Sequence, residues 1–199
     1  MMSHYFINDK TLDHELKTID VQIKGTSFRF YTDRGVFSKD GLDFGSKLLL
    51  ETIRFTKDET HIIDMGCGYG PMGIFAAKMC PHATIHMVDV NERALDLVQK
   101  NTLINEVNNT KIYLSHLFEM IEIKADLIMS NPPIRAGKKT VFDLYEQAQK
   151  HLNHQGKLVV VIQKKQGAPS TVEKLKTLFS HVEILARDKG YWIISSYNG

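Results

Sequence analysis

The sequence predicts an α/β protein with a doubly wound, mostly parallel sheet. Three observations predict it. From His61 onward, short apolar runs alternate with runs of helical period. The apolar runs at 127–129 and 159–162 carry no polar alternation, as strands buried on both faces do not. Only Asp188, Lys189 and Gly190 part the last two strand-like runs, too few residues for a parallel crossover, so the chain turns back on itself there. The expected architecture is Rossmann-like: seven strands with the last antiparallel, and a small N-terminal β-hairpin extension.

The elements follow in order. "VQIKGTSFRFYTDRG" holds two alternating runs around Gly25-Thr26 and predicts the hairpin. "GVFSKDGLDFGSKLLLETIRF" turns into a helix that carries Leu48, Leu49, Glu51, Thr52 and Phe55. "HIIDM" is the first sheet strand. "PMGIFAAKMC" is a helix with Pro71 in its first turn, where a missing N–H costs nothing. "TIHMVDV" is a strand, and Asn91 caps the helix "ERALDLVQKNTLIN". "KIYLSH" and "ADLIMSNPP" are the third and fourth strands. "VFDLYEQAQKHL" is a helix ending near Asn153, and "GKLVVVIQ" is the fifth strand. Ser170 is expected to cap "STVEKLKTLF", and "HVEILAR" and "YWIISSYN" form the closing hairpin. Residues 1–45 read as a hairpin and cap segment, and residues 46–199 as one compact domain.

Composition narrows the class. Lys and Arg number 25 against 23 Asp and Glu, a net charge of +2. That is too weak a charge to mark a nucleic-acid binder by itself. Two cysteines, Cys67 and Cys80, form no disulfide framework and suit a reducing cytoplasm. The opening "MMSHYFINDK" has no apolar signal core, and no run approaches the ~20 apolar residues of a membrane span. A cytoplasmic protein is expected. Among nine histidines, no pair is completed by cysteine or carboxylate into a ligand set, so no metal is expected. Trp192 is expected to pack in the core.

The chemistry begins at "DMGCGYGPMG". Ligands of open α/β sheets bind beyond the carboxyl ends of the strands, and this loop follows the first. Its glycines are Gly66, Gly68 and Gly70, and Pro71 stands where a dinucleotide fingerprint needs its third glycine. That spacing disfavours a nicotinamide oxidoreductase. Asp64 precedes the glycines, and Asp89 and Val90 end the next strand about twenty residues on. S-adenosyl-L-methionine suits this pattern, because it brings an amino-acid zwitterion and a ribose but no pyrophosphate. A carboxylate such as Asp64 can orient its ammonium, and Asp89 can accept both ribose hydroxyls. Cys67 has no histidine partner and reads as a small residue in a tight loop.

The fourth strand runs into "SNPPIRAGKK". A planar amine on a base is a weak nucleophile because its lone pair is conjugated. A site that accepts both of its N–H groups aims that lone pair at a methyl donor and meets the charge that develops on nitrogen. The Asn131 side-chain oxygen and the Pro132 carbonyl are suitable acceptors, and Pro133 stiffens the turn.

"NPP" after the fourth strand resembles class I methyltransferases acting on amino or amide nitrogens. Enzymes for adenine N6 or protein glutamine follow it with an aromatic residue, and this chain has Ile134. "GVFSKDGLDFGSKLLLE", "DMGCGYGPMGI", "SNPPIRAGK" and "KKQGAPS" together resemble the small-subunit ribosomal RNA guanine-N2 methyltransferase family, whose larger members carry a second, degenerate copy of the domain. The chain looks like the catalytic half alone. The resemblance implies that Asp64, Gly66, Cys67, Gly68, Gly70, Asp89, Val90 and Asn131 hold S-adenosyl-L-methionine. It implies that Asn131, Pro132 and Pro133 hold the guanine amine. Where the family reads the adenine amino group with Asp or Asn, this chain offers Ser115 and His116. It also suggests that Phe37 and residues 43–46 fold over the cofactor.

The strand-end cations Arg135, Lys138, Lys139, Lys164 and Lys165 fall on the same sheet edge and are expected to meet ribosomal RNA or the small ribosomal subunit. The competing readings are a methyltransferase for a protein amide or a small molecule, and a non-catalytic ribosome-assembly factor that binds RNA.

Overall fold

The computed structural model describes residues 15–34, 36, 38 and 41–199. A two-stranded antiparallel hairpin, β1 (Lys17–Ile23) and β2 (Thr26–Thr32), leads into α1 (Phe44–Thr52). There follow β3 (His61–Met65), α2 (Pro71–Met79), β4 (Thr84–Asp89), α3 (Glu92–Ile104), β5 (Thr110–Leu114) and β6 (Ala125–Ser130). The chain then adds α4 (Lys138–Lys150), β7 (Leu152–Gln163), α5 (Ala168–Lys176), β8 (His181–Asp188) and β9 (Tyr191–Tyr197). Strands β3 to β9 form one seven-stranded sheet in the order β5-β4-β3-β6-β7-β9-β8. Strand β9 runs antiparallel to both β7 and β8, and the remaining pairings of that sheet are parallel.

Successive residues of the central strands point to opposite faces, and each face has its own core. Ile62, Leu127 and Val159 meet α2 residues Ile74 and Phe75 on one side. Ile63, Ile128 and Val160 meet α4 residues Leu144 and Tyr145 on the other. The hairpin adds Phe28 and Phe30 to the first core, where Phe28 lies 5.7 Å from Phe75 and Phe30 5.7 Å from Tyr69. Among the described residues, the open edge of β2 does not pair with a strand. Two asparagines one turn apart, Asn101 on α3 and Asn105 at its C-cap, complete it instead. Asn101 accepts from the Tyr31 N–H at 2.7 Å and donates to the Tyr31 carbonyl at 3.0 Å, and Asn105 treats Arg29 in the same way at 3.1 and 2.7 Å.

Several local expectations shift. The hairpin turns at Lys24-Gly25, both at positive φ (48° and 78°), one residue earlier than read. Phe55 falls beyond the end of α1, and α4 begins three residues before Val141. Ser170 does not cap α5. Gly167 does, at φ 115°, and the Ser170 hydroxyl donates back to the Gly167 carbonyl at 2.9 Å. Trp192 is only partly buried, with the Arg187 guanidinium 4.3 Å over its ring. Among the described residues, no helix is long and apolar enough to cross a membrane.

Candidate active site

Strands β3 and β6 lie side by side at the centre of the sheet, with Met65 opposite Ser130. From β3 the chain winds outward through β4 and β5, and from β6 it winds the other way through β7. The two loops that leave this switch point carry the glycines and Asn131-Pro132-Pro133. The Ser130 hydroxyl donates to the Met65 carbonyl at 2.8 Å and ties their roots together.

The glycine loop is left-handed at Gly66, Gly68 and Gly70, with φ of 76°, 56° and 98°. A Cβ on Gly66 or Gly68 would meet nothing within 4 Å, so both backbones face open space that a side chain would enter. Gly70 differs, because a Cβ there would come within 2.8 Å of Met87. All four N–H groups of Gly66, Cys67, Gly68 and Gly70 are already engaged. Gly66 and Cys67 give their N–H groups to the Val88 carbonyl at 2.8 and 3.0 Å, and Gly70 gives its own to Cys67 at 2.9 Å. Gly68 donates to Asp89 at 2.8 Å. At the start of α2, Pro71 has no N–H and Gly73 donates to Asp64 at 2.7 Å. A phosphate cradle needs such donors free. The loop is therefore shaped for a close neutral or cationic ligand, not for a pyrophosphate.

Asp64 is fully buried, and among the described residues its second oxygen, Oδ1, has no hydrogen-bond partner. Burial pushes its carboxyl up to about 7; the Gly73 N–H opposes this and the nearby Asp89 charge adds to it. An unpaired buried carboxylate costs free energy that a bound ammonium would recover. Asp89 is partly buried. Burial raises its carboxyl too, against N–H donors from Gly68, Asn91 and Val90. Three donors on its two oxygens leave the carboxylate one lone pair for a ribose hydroxyl. An orphaned acid beside an open glycine cradle fits the amino acid and ribose of S-adenosyl-L-methionine. Cys67 is buried. Burial above all, with Asp89 and Asp64 beside it, pushes its thiol well above the ordinary range, so it is no nucleophile.

At the reactive end, Asn131 donates through Nδ2 to Asp43 at 2.7 Å and to the Ser46 hydroxyl at 3.0 Å. Among the described residues, none hydrogen-bonds to its Oδ1. Pro132 is buried, and its carbonyl already accepts the Ile134 N–H at 2.8 Å, leaving one lone pair. Ile134 is half-buried against the second core. His116 stands exposed past the end of β5, with Nδ1 3.2 Å from Glu119. The neighbouring Ser115 is spent on its own turn, donating to the Leu117 carbonyl at 3.0 Å and accepting from Met120 at 3.1 Å. Phe37 lies outside the described residues. The contact of Asp43 and Ser46 with Asn131 was missed from sequence, where residues 43–46 stood only as a segment folding over the cofactor.

The five basic residues are exposed on this edge: Arg135 in the turn after β6, Lys138 and Lys139 opening α4, Lys164 and Lys165 after β7. Cations at the start of α4 oppose its dipole, and helix stability alone would place acids there. The β8–β9 turn joins them, because the Lys164 N–H donates to Gly190 at 2.7 Å. That turn brings the exposed Lys189, missed from sequence, whose ammonium lies 4.7 Å over the Phe44 ring. Among the described residues, no group of three His, Cys, Asp or Glu could hold a metal ion.

Comparison with known proteins agrees with this geometry. Residues 27–195 match the methyltransferase small domain. An uncharacterised Bacillus subtilis protein is 43% identical over 98% of each chain. Ribosomal RNA small subunit methyltransferase C of Haemophilus influenzae is 37% identical over 84% of this chain, which spans about half (51%) of that relative. Among solved structures, a T. thermophilus 16S rRNA N2 methyltransferase in complex with AdoMet and guanosine superposes with a TM-score of 0.82, at 22% identity, over 92% of this chain and 51% of its own. A ribosomal protein methylase from Lactobacillus delbrueckii shares the fold with a TM-score of 0.70, at 22% identity and 84% of each chain, so the fold alone does not choose the acceptor. The chain belongs to the methyltransferase small domain family, with S-adenosyl-L-methionine as its methyl donor.

Proposed function

We propose that the protein moves a methyl group from S-adenosyl-L-methionine to the exocyclic N2 amine of a guanine in small-subunit ribosomal RNA. The observation that carries this reading is the Asn131 amide. Its NH2 end is occupied by Asp43 and Ser46, which leaves its oxygen as a hydrogen-bond acceptor one strand from the glycine loop. The ribosomal acceptor is supported by the Haemophilus relative's name and by the half-buried Ile134, which offers no ring to stack an adenine or a glutamine amide.

In this reading the cofactor, when bound, supplies an electrophilic methyl on a sulfonium sulfur. Asp64 takes its ammonium and Asp89 a ribose hydroxyl. Gly66, Cys67, Gly68, Gly70 and Val90 line the adenosyl moiety, and His116 reads the adenine. Asn131 Oδ1 and the free lone pair of the Pro132 carbonyl accept the two N–H groups of the guanine amine, and Pro133 fixes the turn. Held by these two acceptors, the amine nitrogen would lie in line for methyl transfer from the sulfonium. Positive charge appears on nitrogen beside the Asn131 dipole. The methylated ammonium is strongly acidic and gives its proton to water, so no strong base is required. The base must be unpaired or flipped out to reach this edge. Arg135, Lys138, Lys139, Lys164 and Lys165 hold the flanking phosphates.

The test is methyl transfer from labelled S-adenosyl-L-methionine to unmodified small subunits and to naked ribosomal RNA, followed by nucleoside analysis. Label in N2-methylguanosine is expected. Cofactor binding without label in that nucleoside would overturn the acceptor and leave the cofactor site standing.

A further inference from the structure

We infer that Asp43 is a positioning residue that acts through Asn131, fixing which end of its amide faces the methyl acceptor. The inference rests on the acceptor role proposed above for Asn131.

The two ends of an asparagine amide are nearly equal in shape, so packing does not decide which one points where. Partner chemistry does. A carboxylate has no hydrogen to give, so the end held 2.7 Å from Asp43 Oδ2 must be the NH2. Ser46 Oγ takes the second hydrogen at 3.0 Å. Oδ1 is thereby turned away and, among the described residues, left without a hydrogen bond. The carboxylate also polarises the amide, because a charge-assisted bond to its NH2 draws electron density toward the oxygen.

Asp43 is held in place for this. The same Oδ2 accepts the Ser46 N–H at 2.8 Å and caps α1. The start of α1 is clamped on β9: Phe44 lies 5.5 Å from the Tyr191 ring, and a Cβ on Gly45 would fall 3.0 Å from that ring. One carboxylate thus joins a helix cap to the amide that faces the acceptor.

Asp43→Asn separates the two roles, since asparagine caps helices as well as aspartate does. An asparagine there can also donate, so the Asn131 amide gains a second orientation with its oxygen bound and hidden. With small subunits as acceptor, D43N lowers turnover about tenfold, while the KM for subunits, the cofactor affinity and the melting temperature stay near wild type. In the N131A background the same change alters turnover less than about twofold, because the amide it orients is gone. Equal losses in both backgrounds would reduce Asp43 to a structural cap and overturn the inference. So would full D43N activity beside an impaired N131A. A fully active N131A would overturn the acceptor role of Asn131 and this inference with it. A second readout needs no acceptor. In 15N-labelled protein the Asn131 side-chain amide pair, assigned by its loss in N131A, shows one proton shifted downfield by the carboxylate, and D43N moves it upfield. An unmoved pair also overturns the inference.

Discussion

Asp64 and Asp126 sit on neighbouring strands of one sheet, near opposite ends, and their surroundings are inverted. Asp126, near the start of β6, accepts four donors: the N–H and hydroxyl of Thr60, the N–H of His61 and the Asn153 amide, at 2.7–3.0 Å. Burial raises its carboxyl, but those hydrogen bonds outweigh burial and hold it below its ordinary value. Asp64, near the end of β3, has one donor and a bare oxygen, and burial holds it up near 7. A satisfied acid closes one end of the sheet, and an unsatisfied one lies beneath the other. Buried polar groups are normally paired. Of the two acids, the one that departs from this rule is Asp64, beneath the edge where the strands end in open glycine backbone, Asn131 and exposed lysines. The difference separates what holds the fold from what awaits a ligand.

Substitutions can break that contrast, and the largest effect is expected at the reactive end. Asn131→Ala lowers turnover by roughly 10²–10³, the usual loss for one such polar stabiliser, with cofactor affinity and melting temperature near wild type. Steady-state kinetics beside calorimetry checks it, and unchanged turnover would remove Asn131 from the chemistry. Asp64→Asn comes next. A charged hydrogen bond is worth ~1.5–3 kcal/mol, so cofactor affinity falls by about 10–100-fold. The ligand-free protein moves the other way at pH 8. It gains roughly 1–3 kcal/mol, since a buried charge met by a single N–H is removed. Asp126→Ala has the mirror phenotype: stability falls by about 1–2 kcal/mol as its donors lose their acceptor, and cofactor affinity is untouched. Chemical denaturation of both variants side by side distinguishes the two acids. Loss of stability in both would mean that Asp64 is a structural acid as well.

What the sequence revealed follows the same division. The placing of the glycine loop and Asn131-Pro132-Pro133 at neighbouring strand ends was legible because each is a run of consecutive residues with fixed backbone demands. Alternation of apolar runs revealed the sheet and its antiparallel end. Asp43 was not legible as a partner of Asn131, because 88 residues separate them and the local Asp-x-x-Ser pattern is fully explained as a cap. Ser170 was misread because serine is a common cap, while the left-handed φ of 115° at Gly167 moved the cap three residues back. The polar start of β7, "NHQG", resembles a loop, yet Leu152 pairs with Ala125 and Lys157 with Leu127 across a register shift. The pairing partner, not the segment's own composition, makes it a strand.

The smallest expected effect is also the sharpest test of the two-ended sheet, because it sets Asp64 against His86. His86 is buried beside His61 (3.1 Å) and Tyr113 (3.0 Å), and burial, then the neighbouring His61 and Lys111, lowers its pKa to about 4. Between pH about 4 and 6.5 the unfolded chain holds a proton on this histidine that the folded protein lacks. Its contribution to stability is therefore complete above about 6.5 and is lost as pH falls toward 4. Asp64 has the opposite sign. Between about 4 and 7 the folded protein holds a proton that the unfolded chain has released, so its contribution is present in acid and is lost as pH rises through 7. The two slopes oppose each other across one window. Denaturant titrations of the ligand-free protein from pH 4.5 to 6.5 are expected to show a shallow profile for wild type and a steeper acid loss for Asp64→Asn, where only the His86 slope remains. Cofactor affinity should weaken by up to about tenfold from pH 7 to pH 6, since an ammonium needs the ionised Asp64 and one proton costs at most a decade per pH unit. A pH-independent affinity would place the ammonium against some other acceptor and return Asp64 to the role of Asp126.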